Sequence, residues 1–207
     1  LPASAELSGT STYFGYEPHV SWNLVSLPLI VSDNRTITLY PSASSNAFRY
    51  ENGYLQSDTL FFGEGYWLKF PDREEVSIIG ATRYKDTITV HDRLNIIGCV
   101  SQTIPQTKIF PLGTTIASAC FQFSDSSGYT IADTLYPGKG YWVKVNGDGE
   151  LILQNENSFL SHQTNTHLST HQPSDENVLP LSTITNRTRS LQFEDAHKRK
   201  RTLYYRT

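Results

Sequence analysis

Gly53–Phe70 reads GYLQSDTLFFGEGYWLKF, and Gly128–Val145 reads GYTIADTLYPGKGYWVKV. Laid over each other, ten of the eighteen positions are identical: Gly, Tyr, Asp, Thr, Leu, Gly, Gly, Tyr, Trp and Lys. The match runs backward from there. Phe48-Arg49-Tyr50 falls on Phe121-Gln122-Phe123, and Trp22-Asn23-Leu24-Val25 falls on Leu94-Asn95-Ile96-Ile97. The chain carries one unit twice, head to tail. Small loop insertions move the offset from 72 (Trp22 to Leu94) to 75 (Gly53 to Gly128). Repeats are the first thing to find, because missing one misassigns the whole fold.

Each unit reads as strands and turns. WNLVSLPL is a short apolar run of the kind a doubly buried strand needs. AFRY alternates, and Asn52-Gly53 supplies a hairpin corner. A turn through Gly63 and Gly65, or Gly138 and Gly140, leads into YWLKF or YWVKV. Alternation puts Tyr66, Leu68 and Phe70 on one face of that strand and Trp67 and Lys69 on the other. VSIIGATRYKDTITV adds two more short strands around Gly80 and Lys85-Asp86. No stretch shows a helical stripe with caps, and turn signals recur every 8 to 12 residues or so. The expected fold is all-β: a pseudo-symmetric β-sandwich or barrel built from the two repeats, plus a C-terminal β-hairpin.

The expected organisation follows. Residues 1–12 are an N-terminal extension. Residues 13–80 are the first repeat, and residues 81–153 the second, sharing one core with it, since one unit alone buries little. Residues 154–178 are a polar linker. Residues 179–207 form the hairpin, from strands at Leu181–Thr185, Ser190–Phe193 and Leu203–Tyr205 with a charged turn over Glu194–Arg201. A lone hairpin is marginal in water, so it is expected to dock on something.

Composition narrows the function classes. Aromatic residues make up 12% and charged residues 18%, a balance that suits a secreted or surface β protein. A net charge of -3 supplies no field toward nucleic acid. No apolar run approaches the roughly 20 residues of a membrane helix. The absence of methionine, even at position 1, is expected of a processed or excised piece whose signal peptide is gone.

These residues resemble a known pattern. WNLVSLPL, GYLQSDTLFFGEGYWLKF, LNIIGCVS and GYTIADTLYPGKGYWVKV look like the tandem "GYW" β-module of large secreted proteins of Bacteroidetes-type bacteria. SLQFEDAHKRKRTLYY is similar to the segment that often follows the second copy. In that family the module commonly precedes a type IX secretion sorting domain. The resemblance implies an extracellular or cell-surface location and a non-catalytic accessory role. The implied partners are other domains of the same protein or neighbouring subunits. Glycans are the alternative partner, with nucleic acid and membrane insertion excluded.

Candidate sites are few. Tyr66, Trp67, Tyr141 and Trp142 are the binding candidates, because amphipathic aromatic rings anchor interfaces and stack on sugars. Core packing is the competing reading. Asp58 and Asp133 occupy one place in both copies, which favours a turn-fixing role over paired acid–base work. The Gly-x-Gly pairs precede a strand, where a phosphate loop needs a helix. They more simply allow positive φ. Cys99 aligns with Leu27 and Cys120 with Ala47, so both belong inside, either as a disulfide worth roughly 3 kcal/mol or as buried thiols. His162, His167 and His171 lack supporting ligands for a metal. Lys198–Arg201 is a basic run beside Glu194 and Asp195. Asn34-Arg35-Thr36 and Asn186-Arg187-Thr188 are sequons that matter only in a glycosylating host. No catalytic residue, metal or cofactor is assigned.

Overall fold

The computed structural model describes residues 11–73 and 75–154 in full, and residues 188–194 and 200–206 for their backbone. The described residues up to 154 belong to one compact unit, and those from 188 onward to a second.

The chain is all-β, and every strand pairing among the described residues is antiparallel. In the first repeat the strands are β1 (Thr12–Tyr16), β2 (Ser21–Ser26), β3 (Leu29–Ile30), β4 (Ala47–Tyr50), β5 (Tyr54–Ser57), β6 (Gly65–Phe70) and β7 (Val76–Thr82). The second repeat holds β8 (Lys85–Val90), β9 (Arg93–Ile97), β10 (Ile104–Pro105), β11 (Ile109–Leu112), β12 (Thr115–Ile116), β13 (Phe121–Ser124), β14 (Gly128–Ile131), β15 (Thr134–Leu135), β16 (Tyr141–Asn146) and β17 (Gly149–Gln154). Among the described residues the helical content is slight: one four-residue α-helix at Thr36–Leu39 and one 3-10 turn at Gln106–Lys108. No helix among the described residues is long and apolar enough to cross a membrane.

The two repeats share a topology. β1-β7-β3 in the first matches β8-β17-β11 in the second, and β2-β6-β4-β5 matches β9-β16-β13-β14. β7 runs through Gly80 to Thr82, so Arg83 and Tyr84 alone connect the repeats.

Local chemistry makes the same turn twice. Before β2, Ser21 takes φ 85°, and before β9, Arg93 takes φ 85°. That region is costly for a residue with a side chain. Each turn is held by an asparagine two residues on. Asn23 Oδ1 accepts from His19 N at 2.9 Å, while its Nδ2 donates to the His19 and Ser21 carbonyls at 2.7 and 3.1 Å. Asn95 repeats this with His91 N at 2.9 Å and the His91 and Arg93 carbonyls at 2.8 and 3.4 Å. Both asparagines are buried, so these bonds satisfy amides that would otherwise be costly.

Tyr66, Leu68 and Phe70 of β6 turn inward among Val25, Val76 and Ile78. Tyr141, Val143 and Val145 of β16 do the same among Ile88, Leu151 and Leu153. Each repeat is thus a small sandwich of a three-stranded and a larger sheet. The expected single core shared by both repeats is subdivided: most buried apolar side chains fall into two clusters, one in each repeat, while Leu24, Trp67, Ile96, Phe121 and Trp142 are buried outside both. Eight or so short strands close a core of their own, and what the repeats share is the opposite face of β6 and β16.

The described part of the second unit is a hairpin of β18 (Thr188–Glu194) and β19 (Lys200–Arg206), with Ser190 opposite Tyr204 and Leu191 opposite Leu203. The two strands expected at Ser190–Phe193 and Leu203–Tyr205 pair with each other. The expected turn ends sooner, since Lys200 and Arg201 are already strand. The strand expected at Leu181–Thr185 lies outside the described residues.

Candidate binding cleft

The GYW residues build the join between the repeats. Trp67 lies on the face of β6 away from its own cluster, with its ring 4.9 Å from that of Phe123 and 6.5 Å from that of Tyr129. Trp142 answers from the other side, 4.9 Å from Tyr50. Phe123 and Tyr50 are equivalent positions, so each tryptophan rests on the other repeat's hairpin. Their edge-on geometry is the favoured one for aromatic rings.

Backbone bonds cross the same join in pairs. Ser26 N donates to Gly138 O at 2.9 Å, and Gly98 N donates to Gly63 O at 2.7 Å. Gly65 and Gly140 meet near the centre. A Cβ on Gly65 would lie 2.9 Å from Ile97 O and 3.2 Å from Gly140 Cα, so only glycine lets the backbones approach this closely. The outer glycines of the motif, Gly63 and Gly138, have φ of 75° and 76°. Each turn is then fastened by the motif tyrosine: Phe61 N donates to Tyr66 Oη at 2.9 Å, and Tyr136 N to Tyr141 Oη at 2.7 Å.

This corrects the binding candidates. Tyr66 and Tyr141 are 0% exposed, Trp67 3% and Trp142 2%. No ring face among the four is open to a ligand. A string repeated for binding would keep its rings in water, whereas this one packs the repeats together. Asp58 and Asp133 are exposed, and each uses its backbone: Thr36 N donates to Asp58 O and Gln106 N to Asp133 O, both at 2.8 Å. No group of three or more potential metal ligands occurs among the described residues.

Cys99 and Cys120 are both buried in the second repeat's cluster, as the alignment with Leu27 and Ala47 implies. They are free thiols, the second of the two alternatives, and the Cys99–Cys120 disulfide is not formed. Cys99 Sγ instead points at the Gln102 and Leu135 carbonyls, at 3.3 and 3.5 Å. Burial pushes both thiols up to about 12. His162, His167, His171 and Asn186 lie outside the described residues, and so do Lys198 and Arg199 of the basic run. Asn34 Nδ2 is engaged with Leu60 O at 3.0 Å.

Two clefts flank the Gly65–Gly140 contact at equivalent places, and they differ. The larger encloses about 500 Å³ between β1 and the Tyr136–Gly140 turn. Phe14, Tyr16, Phe123 and Tyr136 line it, with Glu17 and Lys139 at its rim. The smaller holds about 110 Å³ and is lined by charged Arg49, Glu51 and Glu64. The residue under each glycine turn differs as well. A Cβ on Gly138 would strike the Phe14 ring at 2.3 Å, and one on Gly63 would meet Asp86 Oδ2 at 2.8 Å. Phe14 and Asp86 correspond between the repeats. Asp86 is 6% exposed and paired with Arg83, whose guanidinium also sits 4.5 Å over the Phe62 ring. Burial lifts the Asp86 carboxyl above its ordinary range against the pull of Arg83.

Neither the asparagine clamps nor this Phe14–Asp86 exchange was read from the sequence. The clamp had a visible signal, a His four residues before an Asn in both copies (His19–Asn23 and His91–Asn95). Comparison with family models, with curated proteins and with solved structures finds no match for this chain.

Proposed function

We propose that this chain is a non-catalytic structural module of an extracellular or cell-surface bacterial protein, holding other parts of that protein or neighbouring subunits in place. One observation carries the reading. The most specific repeated string, Asp-Thr-Leu-x-x-Gly-x-Gly-Tyr-Trp, is spent in both copies on turn geometry and on the join between repeats. Duplicated residues with duplicated structural roles need no chemistry to explain them. The resemblance to the GYW module ahead of a type IX sorting domain supports the location.

The test is acrylamide quenching of tryptophan fluorescence alongside urea unfolding of the full chain. Two of the three tryptophans should resist quenching, and the fluorescence should change in one cooperative step. Native-state quenching of all three, or separate melting of the two repeats, would sink the reading, because the motif would then not be holding the halves together.

A further inference from the structure

We infer that the larger cleft, between β1 and the Tyr136–Gly140 turn, is a binding site for an uncharged carbohydrate chain. It is distinct from the buried tryptophans and does not depend on the structural reading. Clefts where two packed bodies meet are common ligand sites, and about 500 Å³ is within the usual range for them.

Three features choose the ligand class. The first is the rings. Phe14, Tyr16, Phe123 and Tyr136 all line the cleft, the first three partly buried and Tyr136 the most exposed. Tyr136 is 49% exposed with the Lys139 ammonium over one face of its ring, so the apolar C–H face of a pyranose would stack on the other. The second is the polar lining. Gln122, Ser127 and Thr130 bring amide and hydroxyl groups, each able to donate and to accept. That dual capacity matches sugar hydroxyls, which also do both. The third is charge. Glu17 at one rim and Lys139 at the other cancel. A phosphorylated or polyanionic ligand would want an excess of cations. Lys139 is also turned toward its own wall, 5.7 Å from the Tyr136 ring centroid, where it fixes that ring as much as it faces the cleft.

The molecule contains its own control. At the equivalent place in the other half the cleft is about 110 Å³, and charged Arg49, Glu51 and Glu64 line it. Phe61 stands where Tyr136 stands in the repeat and is 52% exposed. It lines neither cleft. Exposure of a ring on the glycine turn is therefore common to both halves, while a roomy aromatic trench occurs on one side.

The experiment is affinity electrophoresis of the full chain in native gels containing laminarin, galactomannan, mannan or dextran, with alginate as the polyanion. At least one neutral polysaccharide should retard the protein, and alginate should not. Tyr136→Ala should lose retardation at least fivefold, and Phe61→Ala should keep it. Matching urea midpoints of the two variants would show that both remain folded. The proposal is overturned if no neutral polysaccharide retards the chain, if alginate retards it as strongly, or if both substitutions have the same effect. Resistance of Trp67 and Trp142 to quenching is unaffected by any of these results, so the two readings fail separately.

Discussion

The two halves of the join have kept one backbone and changed one filling. On one side Phe14 lies beneath the Gly138 turn, and on the other Asp86 lies beneath the Gly63 turn, tied to Arg83. The positive-φ turns, the asparagine clamps and the crossing hydrogen bonds are the same on both sides. The difference teaches which parts tolerate drift. Backbone groups buried at a join must be paired, and few residue types pair them in that geometry. A gap beside a turn can be filled by a ring or by an ion pair, so that position is freer.

The comparison can be broken most forcefully at the tryptophans. Trp67→Ala and Trp142→Ala should each cost about 3–5 kcal/mol in urea unfolding. Trp67→Ala removes a ring that touches both Phe123 and Tyr129 of the other repeat. Trp67→Phe should be far milder, since its Nε1 has no hydrogen-bond partner to lose. Next in size come the two fillings. Asp86→Ala should cost about 3 kcal/mol by stranding the partly buried Arg83. Phe14→Ala removes more atoms but is half-buried, and should cost only about 1–2 kcal/mol. If Phe14→Ala proves the more costly, the ion pair is ornamental.

Acid should separate the fillings further. The folded carboxyl of Asp86 holds its proton to a higher pH than the unfolded one. Its contribution is therefore fully present below the ordinary carboxylate range and is lost as pH rises through the folded value. Asp33 runs the other way. Hydrogen bonds from Arg35 and Thr38 hold its carboxyl well below the usual range, so its contribution is present at neutral pH and fades in acid. Asn mimics a protonated Asp. The stability of Asp86→Asn relative to the parent should rise between pH 3 and pH 7, and that of Asp33→Asn should fall slightly, both read as melting temperatures.

The smallest effect sharpens the kinship of the repeats. Writing the first repeat's residues into the second, Cys99→Leu with Cys120→Ala, exchanges apolar fillings of similar role and should cost within about 1.5 kcal/mol. A loss near 3 kcal/mol, with two thiols titrating only after reduction, would mean that a disulfide holds this core.

Much of the fold was legible because the duplication checks each strand against its copy. The alternation in YWLKF placed Tyr66 and Trp67 on opposite faces, and the packing bears this out, with Tyr66 in its own repeat's cluster and Trp67 against Phe123. Periodicity could not tell which face met water, since Trp67 faces away from its own core and is still buried. Only the arrangement of one repeat against the other decides that. The cleft was illegible for the same reason: Phe14 and Tyr136 are far apart in sequence and meet only through the join. Phe14 and Asp86 also look unrelated as letters, and their equivalence emerges from shared position under a glycine turn.

The two-residue connection at Arg83-Tyr84 has a consequence in dilution. Two separate copies with this join would come apart as concentration fell, because a symmetric pair is held only by mass action. Tethered ends present each half to the other at an effective concentration on the order of mM. A free-pair dissociation constant of about 1 mM corresponds to only about 4 kcal/mol. Each additional 1.4 kcal/mol in the aromatic contact then favours the closed form about tenfold more. A molecule released singly into a large volume stays assembled with its own other half.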